Sequence, residues 1–262
     1  MREKNCGGEI PKRTAARGRF REIPGYYGVK NEGGPPGEIA GALSSSLQVP
    51  ASLLSFHAAF GGGVRWRLTR EGVEVEGTGI ERTRGEPSTV RRVWNDFGGS
   101  IERWAAHYRV PAELILATIC TESGGLPDRV RIEPGHESDA ATPKKVSPGL
   151  MQTLIATARE ALKNEVDEDI DREWLLVADN SIRAGTAYIA FQKSKTDFDP
   201  PKAACAYNAG GIYVQTGPAN RWKMRQYPIG TSHHADRFVK WINDFFSLIA
   251  SGETRLSGGY FE

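Results

Sequence analysis

A glutamate at the end of an apolar helix is the first candidate for acid–base chemistry in this sequence. Residues 114–120 are apolar at almost every position, which predicts a buried helix that ends at Glu122. Ile115, Thr118 and Ile119 precede Glu122 by seven, four and three positions, so the carboxyl should leave the helix on the face that these residues bury. Scarce water and the negative end of the helix dipole both disfavour ionisation there. The sequence predicts a general acid at Glu122, and the alternative is a helix-end residue turned towards solvent.

Three further blocks of distinctive sequence follow this helix. They are Gly-Leu-Met-Gln at 149–152, Asn-Ser-Ile-Arg-Ala-Gly-Thr-Ala-Tyr-Ile at 180–189 and Ala-Tyr-Asn-Ala-Gly at 206–210. Together with the Glu122-Ser123 pair, and in this order, the blocks resemble the signature of the soluble lytic transglycosylases with a goose-type-lysozyme-like catalytic domain. The resemblance covers about residues 105–250 and implies a mainly α (α+β), lysozyme-like catalytic domain.

The resemblance implies a role for each matching residue of the first two blocks. Glu122 corresponds to the family's single catalytic acid/base, and Ser123 to the residue beside it that helps to place the reacting sugar. The floor of the glycan cleft corresponds to Gly149, Leu150, Met151 and Gln152. Here a glycine permits close approach of the backbone, Met151 would pack on sugar faces, and Gln152 would offer its amide.

The last two blocks carry the remaining implied roles. Tyr207 corresponds to the tyrosine whose hydroxyl reaches the catalytic carboxyl, and Asn208 to the amide near the N-acetyl sugar. The face formed by Ile182, Gly185 and Tyr188 corresponds to a structural helix, for which we expect core packing.

The implied reaction needs one acid and no second carboxylate, whereas most glycosidases use two. The acid protonates the β-1,4 bond between N-acetylmuramic acid (MurNAc) and N-acetylglucosamine (GlcNAc), and the 2-acetamido group of the substrate stabilises C1. The carboxylate then deprotonates the muramyl C6 hydroxyl, which closes a 1,6-anhydro ring without consuming water. The resemblance therefore implies a peptidoglycan lytic transglycosylase.

Two alternative functions stay open at this stage. The loop at 123–148 is longer than is usual in the family and holds four carboxylates, which are Asp128, Glu133, Glu137 and Asp139. If one of them lies across the cleft and holds a water molecule, the enzyme is a hydrolytic muramidase, that is, a lysozyme. The other alternative is a non-catalytic glycan-binding structural module of a virion, against which the intact Glu122-Ser123 pair and the complete tyrosine block argue.

The glycine-rich loop after the tyrosine block contains three aromatic residues that could stack on sugars, which are Tyr213, Trp222 and Tyr227. Packing within the loop is the equally weighted alternative, and Tyr213 is our candidate for the substrate site. His233 and His234 are expected to begin the last helix.

The elements that must position these residues lie in a chain that changes character near residue 64. We expect an irregular, basic arm rich in glycine and proline at 1–63, a β-hairpin at 64–86 and the lysozyme-like domain at 87–262. In the last part, hydrophobic periodicity predicts helices at 88–105, 111–122, 153–163, 179–193, 199–208 and 234–250. Two long segments without helical pattern, at 123–148 and 211–232, should be functional loops.

The composition of this chain of 262 residues argues against several classes of partner. A net charge of +2 gives no case for nucleic acid, and no apolar run is long enough for a membrane span. Three scattered cysteines and five histidines show no ligand spacing, so we expect no metal and no cofactor.

The start of the sequence lacks the apolar core of a secretion signal, so we expect synthesis in the cytoplasm without a Sec address. The expected substrate, the glycan strands of peptidoglycan, lies in the periplasm or cell wall. A bacteriophage origin would explain how an enzyme made in the cytoplasm reaches this substrate, either as an endolysin released through a holin or as a tail-associated virion enzyme. The alternative is a secreted bacterial effector. We expect residues 1–63 to attach the enzyme to virion tail or secretion-system proteins. The alternatives are a flexible basic leader, an arm that orders against the domain behind it, and electrostatic retention on the anionic wall.

Overall fold

The computed structural model describes residues 49–261, and this part of the chain is mainly α. The helices are α1 Ser88–Tyr108, α2 Ala112–Glu122, α3 Ile155–Leu162, α4 Arg172–Leu176, α5 Ala178–Phe191, α6 Lys193–Thr196, α7 Pro200–Ala209 and α8 His233–Ala250. All six helices predicted from periodicity are present, with ends that differ by a few residues. The predicted mainly α fold class is therefore confirmed.

Helix α2 forms the centre of the molecule. Each residue from Ala112 to Thr121 is buried, because the helix is apolar all round and packs between α1 and α8. Pro111 precedes the first turn, where an amide hydrogen would find no partner in the helix. The core therefore holds the C-terminal end of α2, and with it Glu122, in a fixed place.

The predicted β-hairpin is present and is extended by a third strand. Strands β1 Trp66–Thr69, β2 Gly72–Val75 and β3 Gly79–Ile80 form an antiparallel sheet in that order. Opposite residues Trp66 and Val75, and Leu68 and Val73, face inwards and belong to the same hydrophobic core as α1, α2 and α8. The sheet is thus packed on the helical core and shares its interior.

The long segment between α2 and α3 contains two short strands that the sequence patterns did not predict. Strands β4 Val130–Ile132 and β5 Val146–Pro148 pair antiparallel, with Arg131 opposite Ser147. Three residues are too few to show an alternating pattern, which explains why the segment reads as a loop. The pairing forms a short hairpin that lines the same cleft as the end of α2.

Residues 49–63 also pack on the core. Leu53, in a short 3-10 helix at Ala51–Leu54, is 2% exposed and belongs to the main hydrophobic cluster. His57 pairs with Trp66 as an isolated β-bridge, and its Nε2 lies 2.6 Å from Oδ2 of the buried Asp199, just before α7. The division into 1–63, 64–86 and 87–262 stays a prediction, and most of the expected arm, at 1–48, lies outside the described residues.

Candidate active site

Glu122 opens into a cleft of about 490 Å³. The cleft is lined by the end of α2, by the β4–β5 hairpin, by the segment at 152–157 and by the end of α7 at 207–210. Tyr188 from α5 and Tyr227 from the loop before α8 complete the lining. Of the residues assigned to the site by the sequence blocks, the cleft brings together Glu122, Gln152, Tyr207 and Asn208.

The Glu122 carboxyl has the environment that the sequence predicts for a general acid. Its side chain is only 16% exposed, and burial raises its pKa to about 7. Three positive charges oppose this rise, those of Arg237, Arg131 and Arg129. Glu122 is therefore protonated in a large fraction of molecules at neutral pH, and it lies at the surface of a cleft.

Tyr207 lies in the cleft, but its hydroxyl does not form the hydrogen bond to Glu122 that the resemblance implies. It donates to the carbonyl oxygen of Met151 at 2.9 Å and shares a 2.7 Å hydrogen bond with the Thr153 hydroxyl. Burial, and to a smaller extent the charge of Glu122, raises the pKa of the phenol well above its ordinary value. Within the described residues, Tyr207 thus ties α7 to the segment at 151–153 and stays protonated beside the carboxyl.

The Gly-Leu-Met part of the second block supports the cleft from beneath. A β-carbon at Gly149, whose φ is +81°, would lie 2.1 Å from the carbonyl oxygen of Leu175. Leu150 and Met151 are both 0% exposed, and the sulfur of Met151 occupies the space where Gly185 lacks a side chain. The expected contact of Met151 with sugar faces is therefore not what the structure shows, because its side chain is enclosed by the core.

Gln152 and Asn208 do line the cleft. The Gln152 amide donates to the carbonyl oxygens of Arg129 and Gly149, at 2.9 and 2.8 Å, so it also fixes the turn in which it lies. The Asn208 side-chain oxygen accepts from the backbone amide of Tyr227 at 2.6 Å. Both side chains are thus held in place before any ligand binds.

Ser123 is not in the cleft. Its side chain is buried, donates to the carbonyl oxygen of Ile119 at 3.2 Å and accepts from the amide of Gly125 at 3.1 Å. These bonds end α2 and turn the chain away. The structure therefore places Ser123 as a support for Glu122 and away from the sugar position that the resemblance implies.

The aromatic residues divide between core and surface. Trp222 is 0% exposed, packs edge-on against Trp66 and donates to Asp236, so the packing alternative holds for this residue. Tyr213 is exposed beneath the Arg225 guanidinium, outside the residues that line the cleft. Tyr227, half-exposed, does line it.

Tyr188 is a cleft residue that sequence reasoning assigned to the core. Ile182 and Gly185 of the same helix face are buried as expected, but Tyr188 is partly exposed and lies edge-on to Tyr207 at 5.3 Å between ring centres. Tyr188 lies about one turn beyond Gly185, where this face of α5 borders the cleft. A helical stripe alone does not show where the neighbouring elements end.

The β4–β5 hairpin brings charge to the cleft. Arg131, Glu133 and Lys144 line it, with the Arg131 guanidinium 2.8 Å from the Glu133 carboxylate. Asp139, another carboxylate of the same segment, instead forms a paired contact with Arg172. Of the four carboxylates weighed as a second catalytic group, Glu133 is the one that lines this cleft.

Comparison with known proteins bears on the same part of the chain. Residues 99–228 match the family model described as the transglycosylase SLT domain. This segment is therefore similar to the transglycosylase SLT domains. The matched family is one of transglycosylase domains, and the expected mainly α, lysozyme-like fold is confirmed.

A solved structure, that of an inactive mutant of the lytic transglycosylase Slt from Pseudomonas aeruginosa, is similar over 59% of this chain. The sequence identity is 20% and the TM-score is 0.42. This chain covers 24% of the length of that protein. No curated protein sequence is significantly similar to the chain.

No helix in residues 49–261 has the length and apolar character needed to cross a membrane.

Proposed function

We propose that this protein cleaves the glycan strands of peptidoglycan as a lytic transglycosylase, with Glu122 as the single acid/base. The observation that carries the proposal is the buried carboxyl of Glu122, with a pKa of about 7, in the cleft of a chain that is similar to SLT domains. A carboxyl with this pKa is protonated often enough to act as an acid and, once ionised, is basic enough to take a proton back.

The reaction begins when Glu122 gives its proton to the oxygen of the β-1,4 bond that leaves MurNAc C1. The bond between C1 and that oxygen breaks, and the neighbouring 2-acetamido group stabilises C1. The Glu122 carboxylate then takes the proton of the muramyl C6 hydroxyl, and the C6 oxygen bonds to C1. The products are a 1,6-anhydro-MurNAc end and a free GlcNAc hydroxyl, and Glu122 has regained its proton.

Mass spectrometry of the muropeptides released from purified peptidoglycan tests this proposal. We expect anhydro ends, which are lighter than reducing ends by one water molecule. An absence of released products from intact peptidoglycan would favour instead the non-catalytic glycan-binding module. The Glu122→Gln variant serves as the control for contaminating hydrolases.

A hydrolytic muramidase is the second candidate, and the position of Glu133 favours it. Glu133 lines the cleft together with Glu122, and two carboxylates flanking a bond are the usual arrangement for hydrolysis. The Arg131 guanidinium, 2.8 Å from one of its oxygens, holds this carboxyl group beside the cleft. Hydrolysis would be supported if the wild type released reducing ends and Glu133→Gln did not. Anhydro ends from both the wild type and Glu133→Gln would exclude it.

The biological setting that we propose is attack on the cell wall by a phage enzyme, as a holin-released endolysin or a virion tail component. The support is the basic, glycine-rich and proline-rich sequence at 1–63, which is suited to attachment to a virion or to secretion-system proteins. Protein mass spectrometry of purified particles distinguishes a virion component from an endolysin.

A further inference from the structure

His234, the second residue of α8, faces the general acid from inside the protein. Its Nε2 lies 3.6 Å from Oε1 of Glu122, and its side chain is 6% exposed. It is not among the residues that line the cleft. A substrate in the cleft would therefore contact Glu122 while His234 contacts it from behind.

The imidazole is neutral in this place. Burial, assisted by the charge of Arg237, lowers the pKa of His234 to about 3. The charged groups around the pair are Glu122 itself at the end of α2, Arg237 on α8, Arg131 on β4 and Arg129 just before it. A neutral imidazole has one N–H donor and one acceptor nitrogen, so it can bond to a carboxyl without holding that carboxyl ionised as a cation would.

We propose that His234 is a positioning residue whose Nε2–H donates to Oε1 of Glu122, which keeps the acidic proton on Oε2, the oxygen that serves the substrate. The same donor can remain in place through both steps, since the carbonyl oxygen of the acid and the oxygen of the carboxylate both accept. It bonds more strongly to the carboxylate. The 3.6 Å separation is slightly longer than a hydrogen bond, and such contacts in catalytic sites shorten when the substrate binds.

Two substitutions separate this role from simple packing. His234→Gln keeps an N–H donor within reach of Glu122 but cannot titrate, whereas His234→Met fills a similar volume without a donor. We expect kcat of His234→Met to fall roughly 10-fold to 100-fold with KM changed by less than about twofold, which is the size of effect of one hydrogen bond to a charged group. His234→Gln should keep most of the wild-type kcat.

The pH dependence of kcat separates the two roles, because a loss of packing alone would not shift it. A donor to the carboxylate favours the ionised form of Glu122, so its loss raises the pKa of this group. The alkaline limb of the kcat profile should therefore lie at higher pH in His234→Met than in wild type, and His234→Gln should stay near wild type. Equal losses in both variants, or wild-type kcat and pH profile in His234→Met, would overturn the proposal.

The catalytic part of this inference rests on the proposed function. Measurements on the full chain without substrate test the contact between His234 and Glu122 separately from that function. Carbon-13 NMR titration of the Glu122 carboxyl should give a higher pKa in His234→Met than in the wild type. Nitrogen-15 NMR of the wild type should show a protonated Nε2, and it needs no variant to fold. An unprotonated Nε2 would refute the assignment even in an active enzyme, whereas a protonated Nε2 in a protein without glycan cleavage would refute only the proposed function.

Discussion

At the scale of single residues, the site depends on one carboxyl whose environment is set by burial. The end of α2 carries Glu122 out of the core at the floor of a cleft, and the phenol of Tyr207 stays protonated beside it. The buried imidazole of His234 adds no charge. The proposed acid–base function therefore depends on the groups that keep water away from Glu122 as much as on the groups that would bind substrate.

Replacement of Glu122 by glutamine should remove nearly all turnover while the fold is kept. The amide has the same size but cannot give a proton, and loss of a general acid costs about 10²-fold to 10⁴-fold in rate. Clearing of a peptidoglycan suspension measures the loss, with circular dichroism as the control for folding. Retention of more than about a tenth of wild-type activity would move the acid to another residue, since that loss is below this range.

The same substitution should change stability in a pH-dependent way. The folded state raises the pKa of Glu122 to about 7, so between about pH 4.5 and pH 7 the folded protein holds a proton that the unfolded chain has released. Stability therefore falls as pH rises through this window. Urea unfolding should show that the stability of Glu122→Gln relative to wild type is roughly 1–3 kcal/mol greater at pH 8 than at pH 5. An equal difference at both pH values would show that Glu122 is not the titrating group.

Tyr207→Phe should lower kcat by roughly tenfold or more and leave KM nearly unchanged, if the hydroxyl acts on Glu122 in the transition state. The structure gives a matched control, because this hydroxyl bonds to Thr153 and to the Met151 carbonyl. Thr153→Val removes one of these bonds and keeps the phenol. Steady-state kinetics with equal losses in both variants would assign Tyr207 to holding the segment at 151–153.

At the scale of elements, the cleft depends on close packing between the turn after β5 and helices α4 and α5. The turn after β5 lies against the end of α4 because position 149 has no side chain, and α5 accepts Met151 because position 185 has none. The β4–β5 hairpin then brings Arg131, Glu133 and Lys144 to the side of the cleft.

Gly149→Ala should therefore be strongly destabilising, because the new β-carbon would lie 2.1 Å from a backbone oxygen in a left-handed conformation. We expect a loss of more than about 3 kcal/mol, or failure to fold. Gly252→Ala is the matched control, since its φ of +77° is similar and nothing lies within 4 Å of the added carbon. It should cost only about 1 kcal/mol in urea unfolding. Similar losses in the two variants would mean that the left-handed backbone conformation, and not the contact with the Leu175 carbonyl oxygen, excludes alanine at position 149.

At the scale of the whole molecule, the described chain from residue 49 onwards shares one core with the segment that matches SLT domains. Leu53 and strands β1 and β2 contribute to the hydrophobic cluster around α2. The pair of His57 and Asp199 joins the start of the described chain to the first turn of α7, the helix that presents Tyr207.

A variant that begins at Val49 keeps every residue that the structure describes and serves as the reference for a shorter variant. A variant that begins at Val64 should be less stable, because it loses the buried Leu53, worth about 2 kcal/mol, and the His57 contact. The bond to Asp199 raises the pKa of His57, so this contribution is present below about pH 6.5 and is lost as pH rises further. Thermal unfolding should therefore separate the two variants more at pH 5.5 than at pH 8.5, and identical curves would show that residues 49–63 add no stability.

The sequence by itself determined the helical class and the hairpin, and it predicted a poorly solvated carboxyl at Glu122. Period and apolar content decide these features locally: α2 is apolar on every face, so it must be buried, and a carboxyl at its end must be poorly solvated. Each of the four blocks also contributes at least one residue to the lining of the cleft.

Only the tertiary structure decided which side chains of those segments face the cleft. Met151 and Ser123 stand next to Gln152 and Glu122 in the sequence, yet both are enclosed, while Tyr188 reaches the cleft from a helix face assigned to the core. The contact of His234 with Glu122 joins residues more than a hundred positions apart, and no local pattern contains it. The physical reason is that exposure at the edge of a core depends on where the neighbouring elements end, and that is fixed by packing between distant parts of the chain.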